Sequence, residues 1–102
     1  MNENMVDFLM TVFVMLAAPV QANPEYEKWG AIAVKEAQKR YRADIIDYRH
    51  LGRIERTPNE SEERFKLWVR NKEGREFGVY VFIRFDPSTD AIHSIRFSES
   101  ER

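Results

Sequence analysis

The sequence contains no cysteine, little glycine, proline or histidine, and almost no net charge. Of its 102 residues, four are glycine, four are proline and two are histidine. The absence of cysteine excludes disulfides, thiol nucleophiles and thiolate metal ligands. A formal net charge of −1 provides no overall field that would attract nucleic acid. The length suggests one small domain, and without disulfides its stability has to come from its core.

The longest apolar run extends from Phe8 to Val20 and contains a single polar residue. At about 13 residues it is shorter than the roughly 20 of a membrane-spanning helix, and it fits the apolar region of a secretory signal. Small side chains at Val20 and Ala22 resemble a signal cleavage site. We therefore predict a signal peptide over residues 1–22 that is cleaved after Ala22.

This prediction places the mature protein outside the cell or in the cell envelope, with no stable membrane span after cleavage. One feature departs from the pattern, because residues 1–7 contain neither Lys nor Arg, whereas a signal begins with basic residues. The alternative is a buried or interfacial N-terminal helix.

The next stretch has the features of an amphipathic helix from Pro24 to Tyr41. Asn23 is a favourable N-cap, and Pro24 suits the first helical position. Trp29 is the largest of the apolar residues that recur here at helical spacing and form one stripe along the helix. Because Gly30 costs ~1 kcal/mol relative to alanine inside a helix, close packing on another layer is the expected reason for it.

Four strands are predicted after the helix, because short apolar or alternating runs are separated there by polar and turn-forming residues. We therefore expect an α+β fold with the order α-β-β-β-β, as one domain over residues 23–102. In it one N-terminal helix packs on a four-stranded antiparallel sheet, in two layers. The predicted strands cover residues 44–51, 64–70, 76–85 and 91–97, with a long polar connection at 52–63, turns at 71–75 and 86–90, and a frayed polar tail at 98–102.

The second and third strands are predicted to form a hairpin centred on Glu73. This register pairs three apolar residues of one strand with three of the other, all on one face. It also puts Trp68 opposite Gly78, where an aromatic ring covers the bare backbone of a glycine. Asn71 suits the start of the turn, and Gly74 suits its left-handed position. The odd-numbered residues of both strands are therefore expected to face the helix.

Four stretches of the sequence combine aromatic and glycine residues at specific positions: "YEKWGAIAVKEAQKRY", "DIIDYRHLGR", "ERFKLWVR" and "REFGVYVFIRFD". They resemble the YqzG-like domains of unknown function, which are small exported proteins of Bacillus-type bacteria. The resemblance spans roughly residues 23–97, and it implies export and no established activity. The order of elements also resembles cystatin-like and PepSY-like domains, but fold analogy does not carry function. The cystatin Q-x-V-x-G stretch is missing, so papain-type inhibition is not inferred.

The sequence offers no complete set of catalytic or metal-binding groups. His50 and His93 lie on different predicted strands, and a metal site would need both of them with a carboxylate such as Asp47. Glu62 and Glu63 fall in the predicted polar connection, where charges usually keep a loop soluble. No serine lies in a G-x-S-x-G elbow, and no glycine-rich phosphate loop is present. We therefore expect a protein that is not an enzyme and has no cofactor or metal.

The strongest functional candidate is the sheet face that points away from the helix. Three aromatic residues are interleaved there with four cations, and exposed patches of this kind often mark interaction sites. Two alternatives stay open. Either the connection at 52–63 or the N-terminal segment covers the rings, or rings and cation stems form an ordinary sheet surface. The predicted binding face consists of Lys66, Trp68, Arg70, Tyr80, Phe82, Arg84 and Arg96.

These observations predict an exported, non-enzymatic interaction module of the bacterial cell envelope, which binds an envelope protein or a wall polymer. A second hypothesis is a single-stranded nucleic-acid binder, since bases stack on aromatic residues that alternate with cations. The balanced charge and the predicted export oppose it, so we expect no nucleic-acid partner. An envelope hydrolase or a protease inhibitor is a further, weaker hypothesis. Neither the identity of the partner nor the oligomeric state has a signature in the sequence.

Overall fold

A computed structural model of the chain describes residues 24–102, with side chains from Tyr26 onward. The four strands form one antiparallel sheet in the order β1-β2-β3-β4. This is the predicted α+β arrangement of one helix followed by four strands. The predicted signal peptide at 1–22 and the Asn23 N-cap lie outside the described residues. The elements are α1 (Pro24–Tyr41), β1 (Ala43–Thr57), β2 (Glu60–Asn71), β3 (Glu76–Phe85) and β4 (Ile92–Ser100).

Helix α1 packs on the inner face of the sheet, which is formed by the odd-numbered residues of β2 and β3, as predicted. Trp29, Ala33 and Ala37 are at most 1% exposed, and the Trp29 ring stacks on Phe85 with centroids 4.2 Å apart. Burial of apolar area contributes roughly 25 cal/mol per Å², so this layer is the main source of stability. The sheet residues of the core are Phe65, Leu67, Val69, Phe77, Val79, Val81, Ile83 and Phe85.

Gly30 allows α1 to lie close against β1. A β-carbon at this position would overlap the hydroxyl group of Tyr48. The packing reason that the sequence suggested for this helical glycine is therefore confirmed, and a larger residue would require the Tyr48 ring to move.

The hairpin of β2 and β3 has the predicted register, with Trp68 opposite Gly78. Gly74 has a φ of 86°, a left-handed conformation that glycine adopts without strain. The Asn71 side-chain oxygen accepts the backbone N–H of Arg75 at 3.0 Å. The turn chemistry expected from the sequence therefore fixes the register of the two central strands.

The predicted long polar connection at 52–63 is wrong, because β1 and β2 continue through it. β1 extends to Thr57 and β2 begins at Glu60, so only Pro58 and Asn59 separate the strands. β1 changes register against β2 at three places, where one extra residue is accommodated in a bulge. A polar strand with bulges lacks the regular alternation of apolar and polar residues, and for this reason its sequence resembles that of a loop.

Glu62 and Glu63 are accordingly not in a solvated loop, and that prediction is also wrong. The two residues are 0% and 1% exposed. They are neighbours in β2 and therefore point to opposite faces of the sheet. Each carboxylate bonds to cationic side chains of other residues, which is the condition under which a charge is buried.

Residues 98–100 of the tail predicted to be frayed continue β4, which ends at Ser100. Ser98, Glu99 and Ser100 pair with residues 78–80 of β3. Glu99 also lies 3.8 Å from the guanidinium of Arg75. Backbone bonds to a well-buried neighbouring strand support this end, although its own side chains are polar.

Candidate functional site

The outer face of the sheet, the side opposite α1, carries all seven residues of the predicted binding face. Cross-strand pairs place Lys66 beside Tyr80 and Phe82 beside Arg96. Among residues 24–102, no helix or strand packs over this side. The alternative that the 52–63 segment covers the rings is contradicted, because this segment extends the sheet. The binding role of the seven residues stays a prediction.

Glu76 organises the end of the outer face near the β2–β3 turn. The Trp68 indole Nε1–H donates to one carboxylate oxygen at 2.8 Å, and Arg70 Nε donates to the other at 3.0 Å. The hydrogen bonds from Trp68 and Arg70 hold the pKa of Glu76 below its ordinary value. The indole ring is half-buried, and its hydrogen bond to Glu76 orients it. Beside it, Asp47, Arg49 and Lys66 border a shallow depression of about 230 Å³.

Glu62 lies towards the other end of the outer face, and it is 0% exposed although no element of the described chain covers this side. Three arginines surround it. Arg64 Nε donates to Oε2 at 2.7 Å, and Arg84 Nε donates to Oε1 at 2.8 Å. Arg96 Nη2 donates to Oε1 at 3.4 Å. We call these three residues the arginine cluster.

Two opposing effects act on the pKa of Glu62. Burial disfavours the charged carboxylate and raises the pKa, but the hydrogen bonds and charges of Arg84 and Arg64 outweigh it and lower the pKa to about 2. Glu62 is therefore an anion at neutral pH that holds the surrounding guanidiniums in place. Charge-assisted hydrogen bonds of this kind are stronger than neutral ones.

The aromatic rings of the outer face are in contact with cations. Tyr80 and Phe82 lie nearly parallel, with centroids 6.3 Å apart and 14° between their planes. Lys66 Nζ lies 5.3 Å from the centroid of Tyr80. The guanidinium carbons of Arg64 and Arg96 lie 5.6 and 4.9 Å from the centroid of Phe82. At these distances the rings attract and orient the cations.

A second charged cluster lies on the inner face, around Glu63. His50 Nε2 is 2.6 Å from one carboxylate oxygen, and Arg53 Nε donates to the other at 2.8 Å. Tyr26 of α1 stacks on the His50 ring, with centroids 4.1 Å apart and 12° between the planes. The cluster thus joins the first turn of the helix to β1 and β2, and its groups have structural partners.

The groups that a metal site would need are not brought together. His50 points to the inner face, whereas Asp47 pairs with Trp68 on the outer side. His93 Nδ1 lies 3.1 Å from Glu60. In the part of the chain that the structure describes, no group of three or more His, Cys, Asp or Glu side chains has metal-site geometry.

Glu62 and Arg64 are members of the outer face that the sequence interpretation missed. Glu62 is missed because the predicted second strand begins at Arg64, which leaves Glu62 in a loop, whereas Arg64 lies within the predicted strand and is overlooked. A signal was available for both residues. The hairpin register pairs Arg64 with Phe82 and, continued past the start of the predicted strand, pairs Glu62 with the oppositely charged Arg84.

Comparisons with known proteins identify relatives of this chain. A family model described as "Protein of unknown function (DUF3889)" matches residues 8–99. The uncharacterized protein YqzG of Bacillus subtilis (strain 168) is 32% identical over 95 residues, which cover 88% of this chain and 87% of the relative. No solved structure matches the chain, so the likeness to cystatin-like and PepSY-like domains stays a prediction.

Proposed function

The chain belongs to the DUF3889 family of proteins of unknown function, and from this premise we propose that it is a non-enzymatic interaction module of the bacterial cell envelope. It binds its partner through the outer face. The observation that carries the proposal is this face itself, where aromatic and cationic side chains share a surface that no other element among residues 24–102 covers. Trp, Tyr and Arg are the residues that dominate binding hot spots.

The state of Glu62 supports binding rather than catalysis. An acid–base catalyst works best with a pKa near the operating pH, whereas the pKa of Glu62 is lowered to about 2. Its two oxygens accept hydrogen bonds from arginines. The carboxylate therefore acts as a structural anion that positions cations.

The exposed charges of the outer face indicate the sign of the charge that its partner carries. Around Glu62, which is 0% exposed, the side chains of Arg64 and Arg96 are 37% and 52% exposed. At this end of the face an approaching molecule therefore meets guanidinium groups before it meets the carboxylate, whereas at the other end Arg70 is paired with the exposed carboxylate of Glu76. Complementary charge raises association rates and selects partners, which favours an anionic wall polymer or an acidic protein surface.

Export is the second element of the proposal, and the sequence supports it. The apolar run at residues 8–20 has the length of a signal, and small residues precede the expected cleavage after Ala22. Among residues 24–102, no helix combines the length and the apolar character needed to cross a membrane. The proposal places the mature chain in the cell envelope or outside the cell.

Retention on isolated cell envelopes tests the proposed function. The full-length chain is compared with the variant Trp68→Ala, Arg96→Ala and with the control Lys35→Gln, Arg40→Gln, whose residues are exposed on α1. We expect the wild type and the control to be retained and the outer-face variant to be washed off with native circular dichroism.

Two results would contradict the proposed function. Equal retention of all three proteins would make the outer face an ordinary surface. Loss of the native circular dichroism in the outer-face variant would mean that the face is covered in the folded protein.

A further inference from the structure

The arginine cluster is the end of a longer row of cations on the outer face. Cross-strand neighbours there form successive rungs of the sheet, and outward-pointing residues of adjacent rungs are separated by about 7 Å along a strand. Each of three consecutive rungs carries at least one cation. These rungs are Glu62–Arg84, then Arg64–Phe82–Arg96, and then Arg49–Lys66–Tyr80.

The row has more positive than negative charge. Three guanidiniums surround the single carboxylate of Glu62. Arg49 lies directly opposite Lys66, and like charges in this arrangement destabilise a sheet. Asp47 lies one rung beyond this pair, where its carboxylate accepts the backbone N–H of Tyr48 at 2.8 Å.

Glu60 is the other carboxylate near the arginine cluster. Its side chain lies 3.9 Å from Arg84, 3.2 Å from Arg56 and 3.1 Å from His93. Because Glu60 is shared among these groups and lies closer to Arg56 than to Arg84, it leaves most of the charge of the cluster uncompensated. A bound anion would relieve the excess.

The guanidiniums are held in an orientation that leaves donors available. An arginine carries five N–H donors in a planar fork. Arg64 and Arg84 bond Glu62 through Nε, so the N–H groups on the opposite edge of each guanidinium are directed away from this carboxylate. The side chains of Arg64 and Arg96 are 37% and 52% exposed. Planar forks of this kind match the oxygens of phosphate groups.

The ring contacts distinguish between two kinds of phosphate polymer. Single-stranded nucleic acids bind with their bases stacked on open aromatic rings. Here Lys66 lies over Tyr80, and Arg64 and Arg96 lie over Phe82. These rings therefore position cations and are poorly suited to receive bases.

We propose that the row binds a linear phosphodiester polymer without bases, such as a polyol phosphate chain of the cell wall, with phosphate groups on successive rungs. This inference rests on the proposed function of the outer face and specifies the chemistry of its ligand. Glu62 is a positioning residue that fixes the arginine cluster, and Phe82 orients two of its members.

Calorimetric titration of the full-length chain with poly(glycerol phosphate) tests the inference. Oligothymidylate and poly-L-glutamate of equal charge are the comparison ligands. We expect poly(glycerol phosphate) to bind most tightly, with an affinity that falls as salt increases because bound counterions are released. The variant Arg64→Gln, Arg96→Gln is expected to lose at least about tenfold in affinity, or ~1.4 kcal/mol, since it loses two charge-assisted contacts to phosphate.

The control Lys35→Gln, Arg40→Gln removes the same charge from α1 and is expected to bind as the wild type does. If oligothymidylate binds more tightly than poly(glycerol phosphate), the conclusion that the face does not receive bases is wrong. If poly-L-glutamate binds as tightly as poly(glycerol phosphate), the ligand need not contain phosphate. Unchanged affinity of the Arg64→Gln, Arg96→Gln variant would place the site elsewhere.

An NMR experiment on the wild type avoids any dependence on the folding of a variant. On addition of inorganic tripolyphosphate, the Nε–H signals of Arg64 and Arg96 are expected to shift, while that of Arg40 on α1 stays in place. Equal shifts of all three signals would indicate an unspecific ion atmosphere and contradict the site.

The two proposals fail in distinguishable ways. If isolated envelopes retain the wild type through the outer face but none of the purified polymers binds, the phosphodiester inference is wrong and the proposed function stands. If neither the envelopes nor the polymers bind, both are wrong.

Discussion

The two faces of the sheet are stabilised by different interactions. On the inner face, α1 covers apolar side chains that are at most 2% exposed, and its own Trp29 stacks there on Phe85. On the outer face, side chains shield one another, and Glu62 is buried only because arginines lie around it. Apolar burial provides most of the stability, whereas a solvated ion pair contributes about 0–1 kcal/mol. The inner face therefore determines the fold, and among residues 24–102 no element covers the outer face.

Two neighbouring residues of β2 show this contrast on the scale of single side chains. Glu63 bonds His50 and Arg53 beneath the start of α1, and Glu62 bonds the arginine cluster on the open side. Both carboxylates have arginine partners, but two of the three arginines at Glu62 are more exposed and regain hydration more easily when the carboxylate is removed. The side chains of Arg64 and Arg96 are 37% and 52% exposed and that of Arg84 is 29% exposed, compared with 24% for His50 and 26% for Arg53.

The largest expected effect is at the centre of the inner face. Trp29 is 1% exposed, and Trp29→Ala is expected to cost about 3–5 kcal/mol because it leaves a large cavity. A small domain without disulfides has a total stability of about 5 kcal/mol. The variant should therefore be largely unfolded in a thermal melt followed by circular dichroism. A melting curve like that of the wild type would remove Trp29 from the core.

The two carboxylates provide the next comparison. Glu63→Gln is expected to cost about 3 kcal/mol, because it breaks the ion pair that the buried Glu63 carboxylate makes with Arg53. Glu62→Gln is expected to cost about 1–2 kcal/mol, since hydrogen bonds to a charged group are lost but water reaches the arginines. Urea unfolding of both variants gives the two values. The reverse order would contradict the distinction between the faces.

The acid stability of the protein tests the charge of Glu62 directly. Its pKa is lowered from 4.5 in the unfolded chain to about 2 in the folded protein. The folded state thus binds fewer protons between these values, so this stabilisation is complete above pH 4.5 and is lost as the pH falls towards 2. After allowance for screening by solvent and salt, we expect a loss of about 1–2 kcal/mol.

Glu62→Gln serves as the control for the acid experiment, because it removes the titrating group and keeps the shape of the side chain. Other carboxylates with lowered pKa values, such as Glu76 and Asp86, titrate in both proteins and cancel in the difference. Urea unfolding at several pH values should then show that the variant loses less free energy of unfolding than the wild type as the pH falls from 4.5 towards 2. Identical pH profiles would contradict the assignment of the low pKa to Glu62.

The smallest effect on stability is expected for Trp68→Ala. The ring lies opposite Gly78 on the outer face, and such cross-strand contacts contribute about 0.2–1 kcal/mol. The melting temperature should fall by only a few degrees, in contrast to the unfolding expected for Trp29→Ala. A loss of several kcal/mol would mean that the indole is buried by a further layer.

Much of this architecture could be predicted from local sequence patterns. The helix from Pro24 to Tyr41 and the β2–β3 register follow from periodicity, a helix-start signal and turn chemistry, all of which lie within a few residues of each other. Six of the seven residues of the predicted binding face lie on β2 and β3 and follow from the same register, because alternate residues of a strand point to opposite faces, and Arg96 joins them from β4.

The extent of β1 and the burial of Glu62 and Glu63 could not be predicted in this way. Their polar sequence resembles a solvated loop, and what supports it is distant along the chain. Glu62 is bonded by Arg84 and Arg96, which are 22 and 34 residues away. A charged residue is buried only when such partners converge in three dimensions, and no local pattern encodes this convergence.

The two tryptophans provide the most direct test of the central claim, that the outer face is the binding surface. Trp29 belongs to the inner face and Trp68 to the outer face, so their indole N–H signals report on the two faces of the same molecule. Both signals are followed by NMR while solubilised envelope fragments are added to the full-length chain. The account predicts that the Trp68 signal shifts or broadens and that the Trp29 signal stays unchanged. A shift of the Trp29 signal with an unchanged Trp68 signal would contradict it.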